Sequence, residues 1–312
     1  MRMRRLGWSG PDISVIGYGS WEAGGMAWGH NPPEEETVEA MRAAFDAGIT
    51  WVDTAEVYGG GRSEELVAQA VEGREILVFT KVAPKPAGSG FDAAGVRAGA
   101  EASLRRLRRD VIDVFQLHWP GPGTAVEETW EAMAGLVDDG LVRWIGVSNF
   151  SAELLERCER VRHVDSLQPH FSMLHREGQD DLFVRCHQAG TGIVAYGPLA
   201  FGLLTGAFDE TTEFSDDDWR SGKHGIAAYE ELFAPGPFRR NLAIVDGLRP
   251  LARRKEVTLA QLALAWVVHQ RGVTAAIAGS RSATHVRDNA GAGDIEVTSE
   301  DLEEIAAVVA TA

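Results

Sequence analysis

Cysteine is almost missing: Cys158 and Cys186 are the two thiols in 312 residues. They make neither a CxxC pair nor a four-thiolate zinc site, and both read as reduced, buried thiols. Long apolar runs are missing as well. No stretch approaches the roughly 20 apolar residues of a membrane span, and the basic N-terminus MRMRRLGWSG leads into turn residues where a secretory signal would turn apolar. Positive charge is scarce, with 30 Lys and Arg against 46 Asp and Glu and a net charge of −16. A nucleic-acid surface needs the opposite balance, so the acidity is assigned to solubility. These absences predict a cytoplasmic protein with no nucleic-acid and no membrane partner. The GxGxxG turn of a Rossmann domain is also absent; GYGSW comes nearest and fails at its third glycine.

What is present is alternation. Short apolar runs lie at 13–19, 49–53, 75–81, 113–118, 142–149, 163–168, 192–196 and 273–278. Between them stand segments of helical period, such as PPEEETVEAMRAAFDAG, SEELVAQAVEG, FDAAGVRAGAEASLRRLRRD and AVEETWEAMAGLVDDG, several closed by Gly. Strands alternating with helices imply a parallel sheet, and eight such units predict an α/β fold of the (β/α)8 TIM-barrel type. No Pro- or Ser-rich linker interrupts the pattern, so residues 1–312 are read as a single domain. An N-terminal β-hairpin is expected in MRRLGWSGPDIS, before the first barrel strand. The one long connection follows strand seven. Residues 205–237 are read as a loop covering a cofactor, or as an insertion with its own short helix.

Barrel chemistry gathers where strands end. Here the ends carry Asp53, Lys81, His118, Ser148 with Asn149, Gln168 and Tyr196. Any one has an ordinary explanation as an edge charge or a bonded structural residue; together on one rim they concentrate charge that needs a purpose. Asp53 and Lys81, on adjacent strands, can pair, and Tyr58 can reach over them from the following loop. The ammonium is expected to lower the Tyr58 pKa. His118 completes a set of donors around one oxygen, which suits a carbonyl oxygen receiving a proton while its carbon receives something else. Trp21, Trp28 and Trp119 sit at loop positions and are read as the pocket for an apolar or aromatic carbonyl substrate, a small molecule. His163, His170 and His175 lack a zinc-like spacing, so no metal is expected.

The segments DTAEVYGGGRSEELVAQAV, LVFTKV, FQLHWP, GLVRWIGVSNFS, LQPHFSML, AYGPLAFGLLTG and GSRSATHVRDNAGA together resemble, in order, the signature of the aldo-keto reductase family. That resemblance implies a catalytic tetrad of Asp53, Tyr58, Lys81 and His118, with Tyr58 as proton donor. It implies an NADP(H) cofactor bound without a Rossmann domain. Ser148, Asn149 and Gln168 would then bond the carboxamide and Tyr196 would stack on the nicotinamide. Gly197, Pro198, Leu199, Gly202, Leu204 and Gly206 would underlie the pyrophosphate. Gly279, Ser280, Arg281 and His285 would surround the adenosine phosphate, with Asp288 and Asn289 facing adenine. Arg281 suits a 2′-phosphate and so argues for NADPH. The implied activity is reduction of an aldehyde or ketone, or its reverse. Two alternatives stand beside it, a redox-sensing regulatory subunit like those of potassium channels and a narrow biosynthetic ketosugar reductase. The short stretch before the hairpin weakens the channel reading, and the short stretch after the last helix implies a broad substrate range.

Overall fold

A strand sends successive side chains to opposite faces, so a parallel strand covered on both sides reads as one unbroken apolar run. The eight runs become such strands. The computed structural model describes residues 1–85 and 89–310. Its strands are β1 (Met3–Arg5), β2 (Asp12–Ser14), β3 (Ile16–Gly19), β4 (Trp51–Asp53), β5 (Leu77–Val82), β6 (Ile112–Leu117), β7 (Val142–Ser148), β8 (Ser166–Gln168), β9 (Gly192–Ala195) and β10 (Val273–Ala278). β1 and β2 form the antiparallel hairpin, and β3 to β10 close a parallel barrel in chain order. One boundary is corrected: residues 13 and 14, read as the start of the first barrel strand, belong to the hairpin. The chain turns between the two strands, where Ser14 Oγ donates to the Ile16 carbonyl at 2.6 Å.

Around the barrel lie α1 (Glu34–Asp46), α2 (Arg62–Ala70), α3 (Ala93–Leu107), α4 (Val126–Asp138), α5 (Ala152–Glu159), α6 (Leu182–Ala189), α7 (Ala228–Leu232), α8 (Pro235–Arg254), α9 (Leu259–His269), α10 (Ala283–Gly291) and α11 (Ser299–Ala310). Their starts follow local chemistry. Asp92, Ser151 and Ser282 accept the backbone N–H three residues on, and Thr258 with Gln261 makes a reciprocal capping box. Among the described residues no helix is long and apolar enough to cross a membrane.

Segment 205–237 carries structure of its own, a 3₁₀ turn at Trp219–Ser221 and then α7. Its expected end runs into α8, whose first turn takes Pro235 because the missing N–H has no intrahelical partner there anyway. Trp219 is fully buried against Trp21, Trp28, Phe201 and Phe233. Its backbone N–H donates to the Ala27 carbonyl at 2.9 Å, which ties the segment to the loop after β3.

The barrel interior is layered. Leu6 and Ile13 of the hairpin join Trp51, Phe79, Val114, Val194, Ala275 and Ile277 in one apolar cluster that fills the end where strands begin. Two residues further along the same strands stand Asp53, Lys81, Gln116 and Tyr196. Period two therefore stacks a polar layer directly on the apolar plug.

The plug is tight at Gly17, where a Cβ would lie 2.1 Å from the Trp51 indole. Gly17→Ala is predicted to cost about 1–3 kcal/mol by overpacking, read from the urea midpoint. Adding Trp51→Leu should make the pair of substitutions less damaging than the sum of the two; strict additivity would contradict this packing.

Candidate active site

The polar layer is organised by a buried ion pair. Lys81, fully buried on β5, donates to Asp53 Oδ1 at 2.5 Å, to the Thr54 carbonyl at 2.9 Å and to Tyr58 Oη at 3.2 Å. All three ammonium protons thus have acceptors. The other oxygen of Asp53 accepts from Gln168 Nε2 at 2.8 Å and Gln116 Nε2 at 3.4 Å. Burying two charges is costly unless every remaining polar contact is made, and here it is. Because Lys81 donates to the phenolic oxygen, the Tyr58 O–H is left to donate elsewhere. His118, on the residue after β6, sets its ring edge-on to Tyr58 with centroids 5.6 Å apart, and its buried Nδ1 has no hydrogen-bond partner among the described residues.

The expected lowering of the Tyr58 pKa is overturned. Burial pushes the phenol above its ordinary value; Lys81 pulls it down, but Asp53 pushes it back up. Burial also works against the Lys81 ammonium, yet Asp53 and Tyr58 outweigh it and the group ends raised. Burial, helped by Lys81, holds His118 well below the usual imidazole range. At neutral pH the site therefore presents a protonated phenol, an ammonium and a neutral imidazole.

A cleft of about 940 Å³ opens above this layer. Asp53, Tyr58 and His118 line it, with Lys81 beneath them. Its walls also carry Ser148, Asn149, Gln168, Tyr196, Gly197, Pro198, Leu199, Gly202, Gly279, Ser280, His285, Asp288 and Asn289, and the three indoles Trp21, Trp28 and Trp119. These groups brace one another. Ser148 Oγ donates to the Gln168 carbonyl at 2.9 Å, Asn149 Nδ2 to the His118 carbonyl at 3.1 Å, and Tyr196 Oη to Asn149 Oδ1 at 2.9 Å. Burial pushes the Tyr196 phenol up to about 12, so it stays a donor.

Three expected residues do not face the cleft. Leu204 is buried in the core. Gly206 ends the 3₁₀ turn with φ of 74° and offers its carbonyl to Arg249. Arg281 donates to Asn31 Oδ1 at 2.7 Å and to the Trp28 carbonyl at 3.2 Å, with its Nε 3.6 Å from the Glu22 carboxylate. In this structure it braces the loop after β3.

Other lining residues were missed. Glu22 and Phe201 sit beside residues that were found, so their positions in the strand-end loops were signal enough. Arg220 comes from segment 205–237, where sequence carries no sign of it. It pairs with Asp218 at 2.6 Å and lies 5.2 Å from the Trp28 ring centroid.

The histidines behave differently from their spacing. His163 pairs with Glu159, but His170, His175 and Glu231 bring donor atoms within 4.8 Å of one another. Their geometry does not suit an ion. The two imidazoles stack with centroids 4.1 Å apart and planes 21° from parallel, so their in-plane lone pairs do not converge on one point. Cys158 and Cys186 are free and buried, with thiols pushed up to about 12 by burial.

The walls fit a dinucleotide. Tyr196, Asn149 and Gln168 stand on its walls together with the start of α10, and Gly197 and Gly202, which also line it, adopt positive φ, a backbone shape that leaves room for close approach. The sequence model described as the Aldo/keto reductase family matches residues 15–310. The chain belongs to the aldo/keto reductase family. It is 35% identical over 282 residues to the aldo-keto reductase YhdN of Bacillus subtilis (strain 168), covering 88% of this chain and 83% of that protein. It is 30% identical over 310 residues to a probable voltage-gated potassium channel subunit beta of Arabidopsis thaliana, covering 95% and 92%. Among solved structures, the glycerol dehydrogenase of Gluconobacter oxydans superposes with a TM-score of 0.86 at 30% identity, over 99% of this chain and 95% of that one. An aldo-keto reductase from Klebsiella pneumoniae in complex with NADPH gives 0.77 at 30% identity, over 99% and 96%.

Proposed function

We propose that this aldo/keto reductase uses NADPH to reduce an aldehyde or ketone to the alcohol, with Tyr58 giving the proton. The observation that carries the reading is the bond from Lys81 to the Tyr58 oxygen, 3.2 Å long, which leaves the phenolic proton free to point into the cleft. When bound, the nicotinamide supplies a hydride to the carbonyl carbon. Tyr58 donates its proton to the carbonyl oxygen as the alcohol forms, and the adjacent ammonium stabilises the phenolate left behind. Asp53 keeps Lys81 in place. His118, neutral, orients the carbonyl oxygen by hydrogen bonding without competing as an acid.

Ser148, Asn149 and Gln168 are assigned to the carboxamide and Tyr196 to the nicotinamide ring. The turn from Gly197 to Gly202 takes the pyrophosphate, while Ser280, His285, Asp288 and Asn289 take the adenosine end. Arg281 reads the 2′-phosphate by exchanging its bonds to Asn31 and Trp28 for the phosphate oxygens. The aromatic walls favour apolar or aromatic carbonyl compounds. The two reduced thiols fit a cytoplasmic setting. The relative named as a probable channel subunit keeps a second reading open, that of a cofactor-binding regulatory subunit.

Tyr58→Phe is predicted to lower turnover of aromatic aldehydes by roughly a hundredfold or more while NADPH binding persists. A phenylalanine variant as fast as the wild type would refute the proton-donor role. A wild type that binds NADPH tightly but turns over no carbonyl would favour the regulatory reading. Arg281→Ala should raise the KM for NADPH far more than that for NADH; equal effects would assign the residue to bracing alone.

A further inference from the structure

The reaction leaves unused a group of residues packed against Tyr196. Tyr196 lines the cleft, and His170 stacks on its ring, with centroids 5.2 Å apart and planes 16° from parallel. His170 in turn stacks on His175. His175 Nδ1 donates to Glu231, 2.8 and 2.9 Å from its two oxygens. The backbone reinforces the contact: Tyr196 N–H donates to the Pro169 carbonyl at 2.9 Å, and the Phe171 N–H to the Tyr196 carbonyl at 3.1 Å. Gly197 makes it possible, since a Cβ there would lie 2.8 Å from His170 Cδ2.

Burial, then the neighbouring His175, lowers the His170 pKa to about 3, so its ring is neutral at any working pH. A neutral aromatic stacked on the platform adds no positive charge against a cationic nicotinamide. Among the described residues the buried His170 Nε2 meets no partner, a cost that plain core packing would avoid with an apolar ring. Glu231 stands on α7, inside the segment that also sends Arg220 and Ile226 to the cleft.

We propose that His170, His175 and Glu231 are positioning residues that hold the Tyr196 ring at the angle the nicotinamide stacks on, and that Glu231 ties this angle to segment 205–237. The proposal rests on the NADPH reading above. Seating the segment and fixing the platform are then one event. Loosening the stack weakens the hold on the nicotinamide half of the cofactor and spares the adenosine half.

The test compares two probes by equilibrium binding, NADPH and 2′,5′-ADP, which lacks the nicotinamide. Glu231→Ala and His175→Phe, the latter keeping an aromatic ring without the bond to Glu231, should weaken NADPH roughly fivefold or more, the effect of about one lost hydrogen bond. Both should leave 2′,5′-ADP within about twofold of wild type, as expected when the adenosine contacts are untouched. Glu231→Gln, whose amide oxygen still accepts from His175, should restore most of the NADPH affinity. If Glu231→Ala does not fold, His175→Phe carries the comparison. Wild-type NADPH affinity in the folded variants, or parallel weakening of both probes, would overturn the positioning role. A wild type that binds neither probe would instead defeat the NADPH reading itself.

Discussion

The site depends on one almost wholly buried ion pair. An ammonium and a carboxylate inside a barrel are tolerated only when geometry satisfies every donor and acceptor. Lys81 meets that demand with Asp53, the Thr54 carbonyl and Tyr58, and Asp53 meets it with Gln168 and Gln116. Tyr58 is therefore the last acceptor the ammonium needs. Electrostatic satisfaction of the pair places the phenol and decides which way its proton faces.

Around that pair the molecule separates rigidity from recognition. Below, Trp51, Phe79, Val114 and the hairpin residues Leu6 and Ile13 make an apolar floor. Above, the walls come from loops and from segment 205–237, whose Trp219 packs on Trp21 and Trp28 while Arg220 reaches the cleft. The floor closes off the charges from below, and the walls set what can approach them. His118 belongs to both: its ring lines the cleft, while its neutrality comes from burial beside Lys81.

Much of this was legible in the sequence because the signals are local. The short apolar runs that predict the strands also show which polar residue ends each one, so Asp53, Lys81, His118, Gln168 and Tyr196 were found from runs of a few residues each. The hairpin was foreseen, but not that residues 13 and 14 belong to it, because an apolar run carries no mark of where the chain turns. The Tyr58 pKa went the wrong way for a related reason. A neighbouring ammonium is visible in the sequence, whereas the burial that outweighs it exists only after folding. Arg281 turning to Asn31, and Glu231 meeting His175 across 56 residues, are likewise products of packing. Spacing alone said only that the histidines lack a zinc pattern.

The pH dependence of kcat for carbonyl reduction by the wild-type enzyme tests the central claim most directly. A donor phenol held above its ordinary value keeps its proton through the neutral range, so kcat should stay level and fall only above about pH 10. A fall with an apparent pKa well below 10, abolished in the residual rate of Tyr58→Phe, would mean that Lys81 outweighs burial and that the account of the buried pair is wrong.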